Sequence, residues 1–190
     1  MTTRSGYRGL GGLAALGALV LLVTTASAAA SPGVRIYQSA DDDAVTEGET
    51  TLATEPDAAY RLLTDYAQWS AIFPDIRRVI VTSQNGAEAR VTFIHPDGNR
   101  DNLHFRNQPA ARMVWFEDTG GRAEVWAEIM FLPGDRPGMT RVHSRLYADV
   151  HGFASLFVSD RKIRTLREQR IRDELTQLHA YFARDVEARR

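Results

Sequence analysis

The sequence contains no cysteine in 190 residues. That absence excludes a disulfide framework, a thiolate metal site, a cysteine nucleophile and a lipid anchor on cysteine. The fold must hold by its core alone, and the chain is long enough to build one. An excess of charge of one sign is also missing, with 23 Lys+Arg against 24 Asp+Glu. Near-neutrality removes the electrostatic case for nucleic acid and for broad adhesion to anionic membranes. Chemical fingerprints are scarce: the chain after residue 30 has no phosphate loop, no dinucleotide fingerprint and no zinc-binding helix motif.

Long apolar runs are absent with one exception, at the amino terminus. Arg4 and Arg8 precede an uncharged stretch from Leu10 to Val23, followed by the small residues Thr24 to Ala30. Basic start, apolar centre and small-residue end are the three parts of an export signal, with Ala26-x-Ala28 or Ala28-x-Ala30 as the cleavage site. The apolar run is about 14 residues, against the roughly 20 needed to span a bilayer. The alternative is a retained signal anchor. Adjacent arginines are missing, so a twin-arginine route is not indicated. The expectation is a signal over residues 1–30, a mature chain beginning at Ala29 or Ser31, and one domain over residues 31–190 in the periplasm or outside the cell.

Val34 to Tyr37 reads as a short strand, Asp41-Asp42-Asp43 as an exposed turn, and Gly48 to Thr54 as extended chain. Thr54 can cap a helix whose first turn holds Pro56, where a missing N–H costs nothing. Ala59, Leu62, Leu63 and Tyr66 then recur at helical spacing, and a second short helix covers Gln68 to Phe73, ending before Pro74. Strand-like runs follow at Arg78–Ser83, Ala87–His95, Asn102–Arg106, Met113–Glu117, Ala123–Leu132 and Thr140–Val150. The turns between them, beginning with Asn85-Gly86, are short, which implies an antiparallel meander. Ala123, Val125, Ala127, Ile129 and Phe131 alternate with Glu124 and Glu128, so one sheet face is apolar and the other wet.

From Ser159 to Val186 runs the longest helix, with Ile163, Leu166, Ile171, Leu175, Leu178, Phe182 and Val186 as its apolar stripe. Short helices, then strands, then one long helix define an α+β class. The long helix is expected to lie across the apolar face of a curved antiparallel sheet, with two short helices near the amino terminus.

The run Ala53-Thr54-Glu55-Pro56-Asp57-Ala58-Ala59-Tyr60-Arg61-Leu62-Leu63-Thr64-Asp65-Tyr66, then Trp69 and Phe73-Pro74-Asp75, resembles the opening of the START-like superfamily. That superfamily includes polyketide cyclase/dehydrase-type and coenzyme-Q-binding members. The resemblance spans about residues 34–188 and implies a helix-grip fold: a bent sheet wrapped around the C-terminal helix, with a hydrophobic cavity between them. Asp75 and Ile76 stand where the ubiquinone-binding branch ends this motif in Trp-Cys.

With the resemblance, Trp69, Phe73, Val91, Phe93, Phe105, Trp115, Ala127, Ile129 and Leu146 are candidates to line that cavity. The Trp69–Pro74 segment is expected to close one end of it, and Ala127, small among bulkier neighbours, to leave room for a ligand. The five histidines show no metal-ligand spacing, and no metal or cofactor is implied. His95 shares the parity of Val91 and Phe93 and is the one weak catalytic candidate, with a satisfied strand-end histidine as the plainer reading. Glu124 and Glu128 stand about 13 Å apart along a strand, too far for a paired acid and base. Ser155 lacks the flanking glycines of a nucleophile elbow. Arg161, Lys162, Arg164, Arg167, Arg170 and Arg172 make the first half of the long helix basic: a solvated face, or a transient contact with lipid headgroups. The expected function is a monomeric binding protein that shelters a hydrophobic small molecule or lipid. The alternatives are a cyclase or dehydratase using His95 on a polyketide-like substrate, and an interaction module with a filled core.

Overall fold

The computed structural model describes residues 33–121, 123–150 and 159–188. The expected export segment, His151 and Ser155 lie outside them. The described elements, in chain order, begin with β1 (Arg35–Gln38), β2 (Val45–Leu52), α1 (Pro56–Thr64), a 3₁₀ turn (Tyr66–Gln68) and α2 (Trp69–Ile72). Then come β3 (Arg78–Gln84), β4 (Glu88–Ile94), β5 (Arg100–Gln108), β6 (Met113–Asp118), β7 (Ala123–Pro133), β8 (Thr140–Val150) and α3 (Asp160–Ala188). The strands form one antiparallel sheet in the order β1-β2-β8-β7-β6-β5-β4-β3. The expected meander is β3 to β8, and residues 140–147 of β8 then pair with the whole of β2.

Period-two burial gives the sheet its inner face. Ala89, Val91 and Phe93 on β4, Leu103 and Phe105 on β5, and Val114 and Phe116 on β6 are buried. So are Ala127, Ile129 and Phe131 on β7, and Val142, Leu146 and Ala148 on β8. The outer face carries charged cross-strand neighbours, such as Glu47 with His143 and Arg145. Asn85-Gly86 makes the expected β3–β4 turn, with Gly86 at φ 88° and the Asn85 carboxamide oxygen accepting the Glu88 N–H at 2.9 Å.

The roof over this face is in two pieces, where the sequence implied one. α3 lies on β1, β2 and β8, whereas α1 lies on β6, β7 and β8, and the Tyr66–Gln68 turn lies on β3. The Thr54 cap does not form. Glu55 is the N-cap residue of α1, without a side-chain cap, and the Thr54 carbonyl accepts the Thr140 hydroxyl at 2.6 Å instead.

α3 approaches β2 closely at Gly48. A Cβ there would overlap Ile171 Cγ2 and come within 2.9 Å of Leu175 Cδ1. At the other end of this contact the buried Arg167 guanidinium donates to the carbonyls of Asp43 (3.1 Å), Ala44 and Ala148 (3.3 Å). Helix, β1–β2 turn and β8 are thereby tied together. Gly48→Ala is expected to cost about 1–3 kcal/mol by overpacking. In a double-mutant cycle with Ile171→Ala, the pair should cost less than the sum of the singles. Additive losses in denaturant unfolding would show that the two residues do not compete for space.

Candidate functional site

Of the nine residues expected to line a cavity, eight lie in the buried core: Trp69, Phe73, Val91, Phe93, Phe105, Ala127, Ile129 and Leu146. Trp115 does not. Its strand neighbours Val114 and Phe116 take the inner face, so Trp115 points outward, with the Arg106 guanidinium 4.6 Å from its ring centre. β6 reads Met-Val-Trp-Phe, apolar at both parities, and alternation alone does not choose between them.

The inner face of β4, β5 and β6 is occupied by an aromatic cluster centred on Trp69. Its ring stacks on Phe93 at 5.0 Å and meets Phe73 (5.0 Å), Phe105 (5.4 Å), Tyr66 (6.2 Å) and Phe116 (6.3 Å). The indole N–H donates to the Leu63 carbonyl at 2.8 Å, so the polar atom of this buried ring is satisfied. Tyr66 is buried beside it and donates to Asn107 Oδ1 at 2.9 Å; burial pushes its phenol up to about 12. Ala127 sits in register between Phe116 and Leu146 and is 2% exposed. In this conformation an indole at position 127 meets packed neighbours rather than the open space expected for it.

Two hollows stand out on the surface of the described residues. One, of about 110 Å³, lies at the β3–β4 turn beside His104; the other, of about 360 Å³ and wide open, lies at the start of α3 beside Arg161, Lys162 and Leu166. Neither lies between sheet and helix. Among the described residues, no group of three His, Asp or Glu side chains is placed to hold a metal ion.

His95 lies just beyond β4. One ring nitrogen meets the Asp75 carbonyl at 2.8 Å and the other the Asp101 carboxylate at 2.7 Å. Both partners are acceptors, so the arrangement asks the ring to donate twice and favours imidazolium. The hydrogen bond with Asp101 is the main cause of its raised pKa, against the opposing effect of burial. His95 is thus a satisfied strand-end histidine with neither nitrogen free for a substrate. His143 pairs with Glu47 at 2.9 Å, and His104 stands between Glu88 (3.5 Å) and Glu117 (3.2 Å).

A second polar group escaped the sequence reading. Glu174 is buried on the inner side of α3 and accepts the Ser144 hydroxyl at 3.1 Å, where burial raises its carboxyl pKa. One turn earlier Arg170 pairs with Asp75 at 3.2 Å, joining α3 to the segment after α2. The signal was present in the chain: Glu174 falls three residues after Ile171 and four before Leu178, inside the apolar stripe.

The His95–Asp101 pair makes stability depend on pH with a definite sign. A raised histidine pKa means that the folded chain holds the proton more tightly than the unfolded one. The contribution is complete below about pH 6.5, the unfolded value, and is lost as pH rises through the folded value. Denaturant unfolding across pH 5–9 should show this loss in the native chain and its removal in Asp101→Asn. An unchanged pH slope in that variant would contradict the assignment.

No family model matches the sequence, and neither does any curated protein. Solved structures do match. The Zhui aromatase/cyclase from Streptomyces sp. R1128 superposes with a TM-score of 0.61 at 15% identity, covering 80% of this chain and 96% of that one. A START superfamily protein from Mycobacterium smegmatis gives 0.61 at 12% identity, covering 74% and 97%. A STAR-related lipid transfer protein from Xanthomonas axonopodis, as a fragment, gives 0.60 at 12%, covering 80% and 94%. With the long helix against an open, curved eight-stranded sheet and short helices ahead of the meander, the chain has the helix-grip fold of START-like, polyketide cyclase/dehydrase-type proteins.

Proposed function

We propose that this chain is an exported protein that binds a hydrophobic small molecule or lipid between its sheet and its roof. One observation carries the reading: the apolar inner face is roofed by two pieces held in different ways. α3 is fixed to β2 and β8 by the Gly48 contact and by Arg167. The Tyr66–Ile76 segment covers β4 to β6 mainly through the rings of Tyr66, Trp69 and Phe73. Aromatic contacts are non-directional compared with a backbone ladder, and another apolar body can replace them. A ligand that takes the place of Trp69 against Phe93, Phe105 and Phe116 exchanges one apolar contact for another. Each methylene it removes from water contributes roughly 0.8 kcal/mol. The names of two of the matched structures, a lipid transfer protein and a START superfamily protein, support the same reading.

The export segment read from residues 1–30 fits the same proposal, since a hydrophobe crossing an aqueous compartment needs a carrier. A catalytic role for His95 finds no support in the geometry, because Asp75 and Asp101 hold both ring nitrogens.

Native mass spectrometry on protein from the soluble envelope fraction tests both parts together. The expected result is a chain beginning at Ala29 or Ser31 carrying an added mass that organic extraction releases as a hydrophobe. Intact Met1 or Thr2 on membrane-bound protein would overturn export. Ligand-free protein that also takes up no hydrophobe from vesicles would overturn binding and leave the interaction-module reading.

A further inference from the structure

Glu174 is hard to explain as a structural residue. It occupies a place in the apolar stripe of α3 between Ile171, Leu175 and Leu178, which are each 1% exposed or less. A leucine there would continue the stripe, and buried carboxyl groups are often replaceable by apolar residues with a gain in stability. Its hydrogen bond from Ser144 at 3.1 Å is the one that the described residues provide. Ser144 is itself a break in the inner face of β8, between Val142 and Leu146, and lies in register between Gly48 on β2 and Ile129 on β7.

A second, independent observation lies beside the pair. Thr50, 2% exposed, is the next inward residue of β2 after Gly48, and its hydroxyl is buried without a hydrogen-bond partner. Register puts Thr50 opposite Val142, diagonal to Ser144 on the same face. Buried hydroxyls without partners are uncommon and mark places where a further polar group is missing. The position is also near the join in the roof: Arg170, one turn before Glu174, reaches Asp75 at 3.2 Å, and Asp75 Oδ1 is buried without a partner. Parting of the Tyr66–Ile76 segment from α3 would open the interior beside Glu174.

We propose that Glu174 and Ser144, with Thr50 beside them, form a recognition point for a hydroxyl group on an otherwise apolar ligand. The inference rests on the binding function proposed above and adds the chemistry of the ligand's polar end. A protonated carboxyl both donates and accepts, as an alcohol does, and Ser144 and Thr50 are equally ambivalent. Burial favours the protonated form of Glu174. An anionic end group would have to give up its water in a buried setting where the nearby Arg170 is already paired with Asp75, and is disfavoured there. The ligand class is therefore a long-chain or polycyclic alcohol rather than a fatty acid.

The test is displacement of a pre-bound fluorescent hydrophobe from the full chain by 1-decanol, decanoate and 1-chlorodecane. The native chain should bind decanol at least tenfold more tightly than the other two. Glu174→Leu should bring decanol down to the level of chlorodecane while leaving the melting temperature unchanged or higher. Ser144→Ala should reduce the preference in part, and Glu174→Gln, which still donates and accepts, should keep most of it. Equal binding of decanol and chlorodecane by the native chain, or an undiminished preference in Glu174→Leu, would overturn the recognition point and leave the binding function standing. Failure of all three probes and of the fluorescent hydrophobe to bind would overturn both.

Discussion

The close approach of α3 to β2 at Gly48 decides how the rest of the molecule is covered. A side chain at this position would collide with Ile171 and Leu175, so its absence lets the helix settle onto β1, β2 and β8. Arg167 then fixes the same helix to the carbonyls at the β1–β2 turn and on β8. A guanidinium is costly to bury without acceptors, and three carbonyls supply them. With α3 held at one side, the inner face of β4 to β6 needs a second cover. The chain supplies it from the short elements between α1 and β3.

The two covers share one apolar core and are joined above it by polar contacts. Arg170 of α3 pairs with Asp75, and the Asp75 carbonyl meets His95, which pairs in turn with Asp101. Such a chain of charge-assisted bonds sets a geometry and can be broken and remade with water at the rim. On the far side of this join, Trp69 and its neighbours meet the sheet mainly through their rings, with one hydrogen bond from Tyr66 to Asn107. Function under this account comes from the contrast: a helix locked by shape and by a buried cation, and a lighter segment held by side chains that an apolar guest can replace.

Much of this was legible in the sequence, for identifiable reasons. The meander from β3 to β8 showed through because its turns carry Asn-Gly and Pro-Gly chemistry and because β7 alternates cleanly between Ala, Val, Ile, Phe and its glutamates. The extent of β2 did not show. Its Val-Thr-Glu-Gly-Glu-Thr-Thr run begins three residues before the expected start, and its inward side carries Thr46, Gly48 and Thr50 before the first large apolar group, Leu52. Trp115 was misplaced because β6 is apolar at both parities, and only pairing with β5 and β7 decides its side. Glu174 was overlooked because a charged residue within a helical stripe reads as an interruption, although its spacing put it inward.

The central claim is that the Trp69 segment yields to a hydrophobe while α3 stays in place. The most direct measurement is a ¹H–¹⁵N NMR titration of labelled protein with 1-decanol, following the Trp69 indole N–H, assigned by its loss in Trp69→Phe. The account predicts that this signal shifts strongly as its bond to the Leu63 carbonyl changes, together with the amides of β4 to β6. The amides of Ala44 and Arg167, where α3 is tied to the β1–β2 turn, should move little. A saturated titration in which the Trp69 indole and the inner strands are undisturbed would contradict the account.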